Sequence, residues 1–339
     1  MNNEAVEKVR ASIEQLPEQY EQAWKESTEV KFPSEYKDVE KVIVCGMGGS
    51  GLPTHFITSV FAAKVPIILI NGYDIPYWAD KKTLVLLSSY SGETEETLSC
   101  GELAKKNNCR ITGIASGGKL ARWLRENNYP SYIFNPIYNP SGKPRLGIGY
   151  GIFGQLGLLG TLGLIQPIGG TLGNVVPREI KRMGSSFSLI NKQARKLVPK
   201  LKGEGVMIFA ADHLVGNAHI FANQLNETAK TFATWFSLPE ANHHLLEGLK
   251  YPRENLVSIF LVSSSYSKMM QKRFELTAQV VKENKFETYE YRPKQGNLLG
   301  EALEVLLTTS IISLELGITY KENPLEIPWV DWFKKQLAK

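Results

Sequence analysis

Cysteine, histidine and long apolar runs are all scarce in this chain of 339 residues, and each scarcity closes off a class of protein. The three cysteines, Cys45, Cys100 and Cys109, form an odd set with no Cys-x-x-Cys spacing, which argues against a disulfide scaffold and a thiolate zinc site. Cys45 ends an apolar run and reads as a buried free thiol, as a reducing cytoplasm would keep it. Of five histidines, His243 and His244 are adjacent, but no carboxylate stands at the HExxH spacing of a zinc enzyme. No apolar stretch reads as the roughly 20 residues needed to cross a bilayer. The Gly-rich run from Gly147 to Gly163 comes nearest, and its glycines fit close helix packing in a soluble core better. The first residues, MNNEAVEKVR, carry acids and no apolar h-region, so no signal peptide is expected. Lysine and arginine do not gather in blocks. The net charge of +5 therefore favours small anions without forming a nucleic-acid stripe.

What is present is ordinary globular material, 43% hydrophobic and 22% charged, enough for two domains or one large sheet. Residues 3–26 read as one amphipathic helix with Val6, Ile13, Leu16 and Trp24 on a single face. Apolar runs without polar alternation follow at 42–45, 65–70, 83–88, 111–115 and 132–134, several of them separated by helix-length spacers. Such runs belong to a parallel sheet covered on both faces. A second cycle begins near residue 195, with strands at 206–210, 256–262 and 286–291 and helices over 217–234, 268–284 and 298–316. A short helix follows Pro328. The expected fold is α/β, with two doubly wound lobes each built on a mainly parallel sheet flanked by helices. The first lobe with its N-terminal helix covers 1–160, a helical connection 161–194, and the second lobe with the C-terminal helix 195–339.

Two turns in the first lobe carry chemistry. Gly46-Met47-Gly48-Gly49-Ser50-Gly51 follows a strand and fits GxGxxG, the dinucleotide fingerprint, but the next strand ends in Asn71-Gly72-Tyr73-Asp74, so the acid that would hold a ribose is close and fits only loosely. No cofactor is expected. Ser89-Tyr90-Ser91-Gly92-Glu93-Thr94 follows another strand and precedes a helical segment. Hydroxyls at Ser89, Ser91 and Thr94, with the free N–H groups of a helix start, suit a phosphate monoester. The plainer reading is helix capping by Ser91, which accounts for one hydroxyl and not three.

GMGGSG followed by SYSGET resembles the sugar isomerase (SIS) domain, a phosphosugar-binding α/β fold. Pro144-Arg145 before Gly149-Tyr150, NQLNETAK over 223–230, PEANH over 239–243, and the ending Asn323-Pro324 through Phe333-Lys334-Lys335-Gln336-Leu337 narrow the likeness. Together they resemble the bifunctional phosphoglucose/phosphomannose isomerases over nearly the whole chain. That resemblance implies metal-independent interconversion of glucose 6-phosphate, and of mannose 6-phosphate, with fructose 6-phosphate through a cis-enediol. It also implies a cytoplasmic homodimer whose partner is a small sugar phosphate.

By the same resemblance Glu227 is the base, set among Phe221, Leu225 and Phe232 where desolvation would raise its basicity. His243 is the ring-opening group, contributed across a dimer interface, and His244 has no assigned role. Arg145 stabilises the enediolate. Lys334 is the active-site lysine, with Lys335 as the alternative register. Ser89, Ser91 and Thr94 bind the phosphate, and Gly48, Gly49 and Ser50 form a substrate-binding loop. Glu93 departs from the pattern by placing an acid beside the phosphate, so its side chain must point away, as a cap would. Two readings from other classes compete: a non-catalytic phosphosugar-binding regulator, and the isomerase half of an amidotransferase.

Overall fold

The computed structural model describes residues 3–251 and 255–337. Helices α1 (Asn3–Glu14) and α2 (Leu16–Thr28) replace the single helix expected over 3–26. Pro17 has no N–H to donate back to Ile13, so the first helix ends and a second begins with the proline in its opening turn.

The first lobe follows as β1 (Lys41–Cys45), α3 (Leu52–Val60), β2 (Ala62–Ala63), β3 (Ile67–Ile70), β4 (Thr83–Ser88), α4 (Glu95–Lys106), β5 (Arg110–Ala115), α5 (Gly118–Glu126) and β6 (Ser131–Ile133). Its five-stranded sheet runs β3-β1-β4-β5-β6, all parallel. Both faces are covered. Val42, Val44, Leu84 and Leu86 enter one buried cluster, while their neighbours Ile43, Cys45, Val85 and Leu87 enter another. Cys45, Cys100 and Cys109 are free and buried, and burial pushes the Cys109 thiol up to about 11.

α6 (Ile148–Thr161) is the Gly-rich helix. A Cβ on Gly157 would sit 1.9 Å from Ser27 Oγ, and that hydroxyl instead donates to Phe153 O at 3.2 Å, so the glycine lets α6 press onto α2. After β7 (Ile165–Gln166), which pairs antiparallel with β2, α7 (Leu172–Leu201) leads to the second lobe.

The second lobe contains β8 (Gly205–Ala211), α8 (Val215–Thr228), β9 (Ala233–Leu238), β10 (Leu256–Leu261), α9 (Lys268–Glu283), β11 (Glu287–Tyr291), α10 (Leu298–Thr319) and α11 (Pro328–Leu337). Its sheet runs β11-β10-β8-β9, again all parallel. The helix expected over 217–234 therefore stops early. Lys230 adopts φ 55°, which no helix continues through, and Asn226 holds Ala233 by both backbone groups, at 3.2 Å (N) and 2.9 Å (O), so that β9 starts there. A second correction concerns α10. With 22 residues and a mean hydropathy of 1.5 it is long and apolar enough to cross a bilayer. However, 83% of its apolar window is buried, and it serves as a core helix of the second lobe.

The lobes meet where α3 crosses α8. A Cβ on Gly216 would fall 2.6 Å from Phe56 Cα, and Gly216 N donates to Ser59 Oγ at 3.2 Å. Beside this crossing the rings of His55 and His219 meet edge to face at 4.8 Å, and His219 stacks on Trp235 at 5.0 Å. Burial, with His55 adding to it, pulls His219 from its ordinary 6.5 down to about 4, and burial lowers His55 as well. Between these values the unfolded chain takes up the proton that the folded one refuses, so stability falls as pH drops from 6.5 toward 4. The urea midpoint should decline across that window, and His219→Phe should flatten the decline. An unchanged pH slope in the variant would mean that this imidazole is already solvated.

Candidate active site

β1 and β4 are adjacent and parallel, so the loops that follow them leave the same edge of the sheet. They are bonded to each other. Tyr90 N donates to Ser50 Oγ at 3.0 Å and Ser88 Oγ donates to Ser50 O at 2.8 Å. From α6, Gln155 Nε2 donates to Ser88 Oγ at 3.1 Å and to Ser50 O at 3.3 Å. Asn71, which follows β3 where a dinucleotide fold wants an acid, donates instead to Gly46 O at 2.5 Å. Gly49, Ser50, Tyr90 and Pro144 line a small cleft open to solvent.

In the hydroxyl-rich loop Ser89 is fully buried, Thr94 half-buried and Ser91 exposed. Ser89 Oγ and Thr94 Oγ1 are bonded to each other at 2.8 Å, and Ser89 Oγ also accepts from Gly92 N at 3.1 Å. The capping reading of Ser91 is corrected. Thr94 holds the cap position of α4, and Ser91 Oγ accepts from Glu93 N at 3.3 Å, inside the turn. Gly92 makes that turn at φ 73°, and a Cβ there would lie 1.9 Å from Gly117 O. Glu93 points away from the loop hydroxyls. Its carboxylate accepts from Lys119 N at 3.0 Å and pairs with Lys119 Nζ at 3.3 Å, in the first turn of α5.

Arg145 enters from the loop before α6. Its backbone N would lie 3.2 Å from a Cβ on Gly49, which places it against the Gly-rich loop. The side chain is 3% exposed. Nε donates to Thr228 Oγ1 at 3.1 Å, one terminal nitrogen to Glu227 Oε2 at 3.2 Å, and the other to Pro324 O at 2.5 Å. Burial draws the guanidinium below its ordinary range and the Glu227 charge draws it back. The expected apolar surround of Glu227 is thereby corrected. Phe221 and Leu225 are core residues, but Phe232 is 68% exposed, and the group that faces the carboxylate is a cation.

Lys230 completes the arrangement, and its part was not legible as more than a motif letter. Its Nζ donates to Glu227 O and Glu326 O, both at 2.7 Å, and to Asn323 O at 3.1 Å. The end of α8 is thus tied to the turn that leads into α11. Burial, then Arg145 nearby, lowers this ammonium.

The other predicted residues lie apart. His243 stands in the turn after β9, exposed, and its side chain makes no hydrogen bond or ion pair among the described residues. His244 pairs with Glu240 at 2.7 Å. Lys334 and Lys335 are exposed on α11, which buries none of its own residues. Among the described residues no three His, Cys, Asp or Glu side chains gather as a metal site.

Residues 190–337 match the family model for the bacterial phospho-glucose isomerase C-terminal SIS domain. The chain is 28% identical to a bifunctional phosphoglucose/phosphomannose isomerase of Caldicellulosiruptor bescii, over 97% of this chain and 98% of that one. It is also 28% identical to one of Thermoplasma volcanium, over 91% and 96%. The similarity to these bifunctional phosphoglucose/phosphomannose isomerases runs over nearly the whole of this chain. A D-glucosamine-6-phosphate 4-epimerase of Sulfolobus acidocaldarius is 31% identical over 62% of this chain and 64% of its own. The fold is shared more widely. A hypothetical protein of Thermus thermophilus superposes with a TM-score of 0.74 at 17% identity, covering 99% of this chain and 94% of that one. The C-terminal domain of glucosamine-fructose-6-phosphate aminotransferase from Francisella tularensis does so with 0.66 at 14%, covering 91% and 94%. The α/β architecture read from the sequence, parallel sheets flanked by helices, is the fold of these solved structures.

The hydroxyl of Thr228 is the only acceptor that Arg145 Nε has among the described residues. Thr228→Val keeps the shape and removes the acceptor, leaving a buried charged donor unmatched at a cost of about 1–3 kcal/mol. Urea unfolding should show that loss and Thr228→Ser should recover it; equal stability of the Val variant would show that Nε has another acceptor.

Proposed function

We propose that this chain interconverts glucose 6-phosphate and mannose 6-phosphate with fructose 6-phosphate through a cis-enediol, without a metal or other cofactor. The observation that carries the reading is the Glu227–Arg145 pair, at 3.2 Å, seated beside the Gly-rich loop that is itself bonded to the hydroxyl-rich loop. Moving a proton between C2 and C1 needs a carboxylate base over one face of the sugar and a cation for the oxygen on which charge develops. In this reading Ser89, Ser91, Thr94 and the first amides of α4 hold the phosphate, and Gly48, Gly49 and Ser50 bound the sugar. Glu227 is the base and Arg145 the cation. Because glucose and mannose phosphates differ at C2, which becomes planar in the enediol, one base serves both.

His243 opens the ring from a second copy of the chain, in a homodimer with composite sites. Its exposure and its lack of a partner among the described residues support that role. Lys334, or Lys335 in the other register, is carried on α11, whose exposed Trp329, Trp332 and Phe333 suit cover by another chain. We place the first lobe at 1–160, the connection at 161–194 and the second lobe at 195–339, in an enzyme of cytoplasmic glycolysis or gluconeogenesis.

A coupled assay in EDTA should show turnover of both aldose phosphates. Glu227→Gln, which retains an acceptor for Arg145, should lower kcat by about 10²–10⁴-fold with little change in KM. Tight fructose 6-phosphate binding with no turnover would make the chain a phosphosugar-binding regulator instead, and turnover of glucosamine 6-phosphate alone would favour 4-epimerase chemistry.

The composite site is tested by mixing. Glu227→Gln and His243→Ala are each expected to be inactive, and dissociating and reassociating the two together should restore activity, because some mixed dimers hold one intact site. No recovery from a verified mixed dimer would place His243 in its own chain's site.

A further inference from the structure

The two lobes repeat one topology. In the first sheet the order β3-β1-β4-β5 corresponds to β9-β8-β10-β11 in the second. The correspondence reaches the loops. Ser88-Ser89-Tyr90-Ser91 begins on the last residue of β4 and leads to α4, while the same four residue types, Ser264-Ser265-Tyr266-Ser267, begin after Val262 and Ser263 beyond the end of β10 and lead to α9. The turn after β1 lies beside the first loop, and the turn after β8, Asp212–Leu214, lies beside the second. Tyr266 OH accepts from Ala211 N at the end of β8, at 3.2 Å, so the second pair of loops is bonded together as the first is.

The second loop already holds an anion. Glu301, in the first turn of α10, is 1% exposed. Its Oε2 accepts from Ser263 Oγ at 2.5 Å and from His213 Nε2 at 2.8 Å, and its Oε1 accepts from Ser265 Oγ at 2.8 Å. Ser263 and His213 are themselves buried, at 1% and 3% exposure, whereas Ser264 and Ser265 face solvent. Three donors from two loops therefore converge on one carboxylate where the sheet edge and the start of α9 favour negative charge. A buried carboxylate is tolerable only when its oxygens are satisfied in this way.

We infer that the loop after β10 is a second oxyanion seat, of the kind that takes phosphate in the first lobe, and that the chain fills it with its own Glu301. One lobe is left to bind a phosphosugar, and the other uses the same donors to fasten α10 to its sheet. The inference stands on the second lobe's own donors and does not require the chain to be an isomerase.

The test uses inorganic phosphate and the full chain in a Ser89→Ala/Thr94→Ala background, which silences the first loop. In that background no phosphate should bind. Adding Glu301→Ala removes the internal anion, and calorimetry should then show one phosphate bound per chain, with a thermal shift that chloride at equal ionic strength does not give. A further Ser263→Ala should abolish the gain, and Glu301→Gln, which fills the space, should show none. If Glu301→Ala does not fold in chloride, its refolding yield in phosphate against chloride reads the same property. A folded Glu301→Ala chain that binds no phosphate, or a refolding yield that phosphate does not raise above chloride, overturns the proposal.

Discussion

A guanidinium removed from water must find a partner for each face of its fork, and in this protein Arg145 finds three partners in two separate parts of the chain. Thr228 and Glu227 end α8 of the second lobe, Pro324 begins the C-terminal turn, and Arg145 itself comes from the first lobe. The cost of burying that charge is offset only when all three are in place. The pair that would act on a substrate is therefore also a joint between the lobes. Lys230 repeats the principle two residues beyond the helix, using carbonyl oxygens in place of a carboxylate. Side chains fixed in this way do not need to be ordered again when a ligand arrives, which is what positioning requires of a site.

The duplicated sheet gives the protein two similar edges with different fates. In the first, the serine and threonine hydroxyls of Ser89 and Thr94 bond to each other, and the one acid in the loop, Glu93, is drawn off to the start of α5. In the second, an acid is drawn in. Both arrangements follow from where a carboxylate meets unsatisfied N–H or O–H donors, and each lobe places its glutamate accordingly. Sequence similarity between the lobes is slight outside Ser-Ser-Tyr-Ser, yet the strand order is preserved because each strand need only be apolar on both faces.

That requirement explains what could be read from the residues alone. Runs such as Val42–Cys45 and Thr83–Ser88 announce buried parallel strands wherever they occur, and the α/β class follows from their alternation with helices. β9 was hidden because Ala233–Leu238 continues a helix-compatible stretch; the signal against a helix is the adjoining Thr-Trp-Phe, together with Asn226, whose bonds to Ala233 are long-range facts. Length and hydropathy likewise cannot separate α10 from a membrane helix, since only packing shows what covers it. At the site, Arg145 and Glu227 were nameable from their motifs, but their contact, the desolvating role wrongly given to Phe232, and the fastening by Thr228 and Lys230 all depend on tertiary placement. The repeat of Ser-Ser-Tyr-Ser was in plain view and needed the two strand orders to give it meaning.

The bond between Ser89 and Thr94 has a consequence for how an anion would enter. Before any ligand arrives, the two hydroxyls satisfy each other, and neither is an orphan inside a half-buried turn. An incoming oxyanion asks each O–H to rotate outward, exchanging one neutral bond, worth about 0.5–1.5 kcal/mol, for two charge-assisted ones. The resting loop is thus a closed latch of two rotors, which water alone has little reason to open and which, in the proposed function, a phosphate would open by turning both hydroxyls.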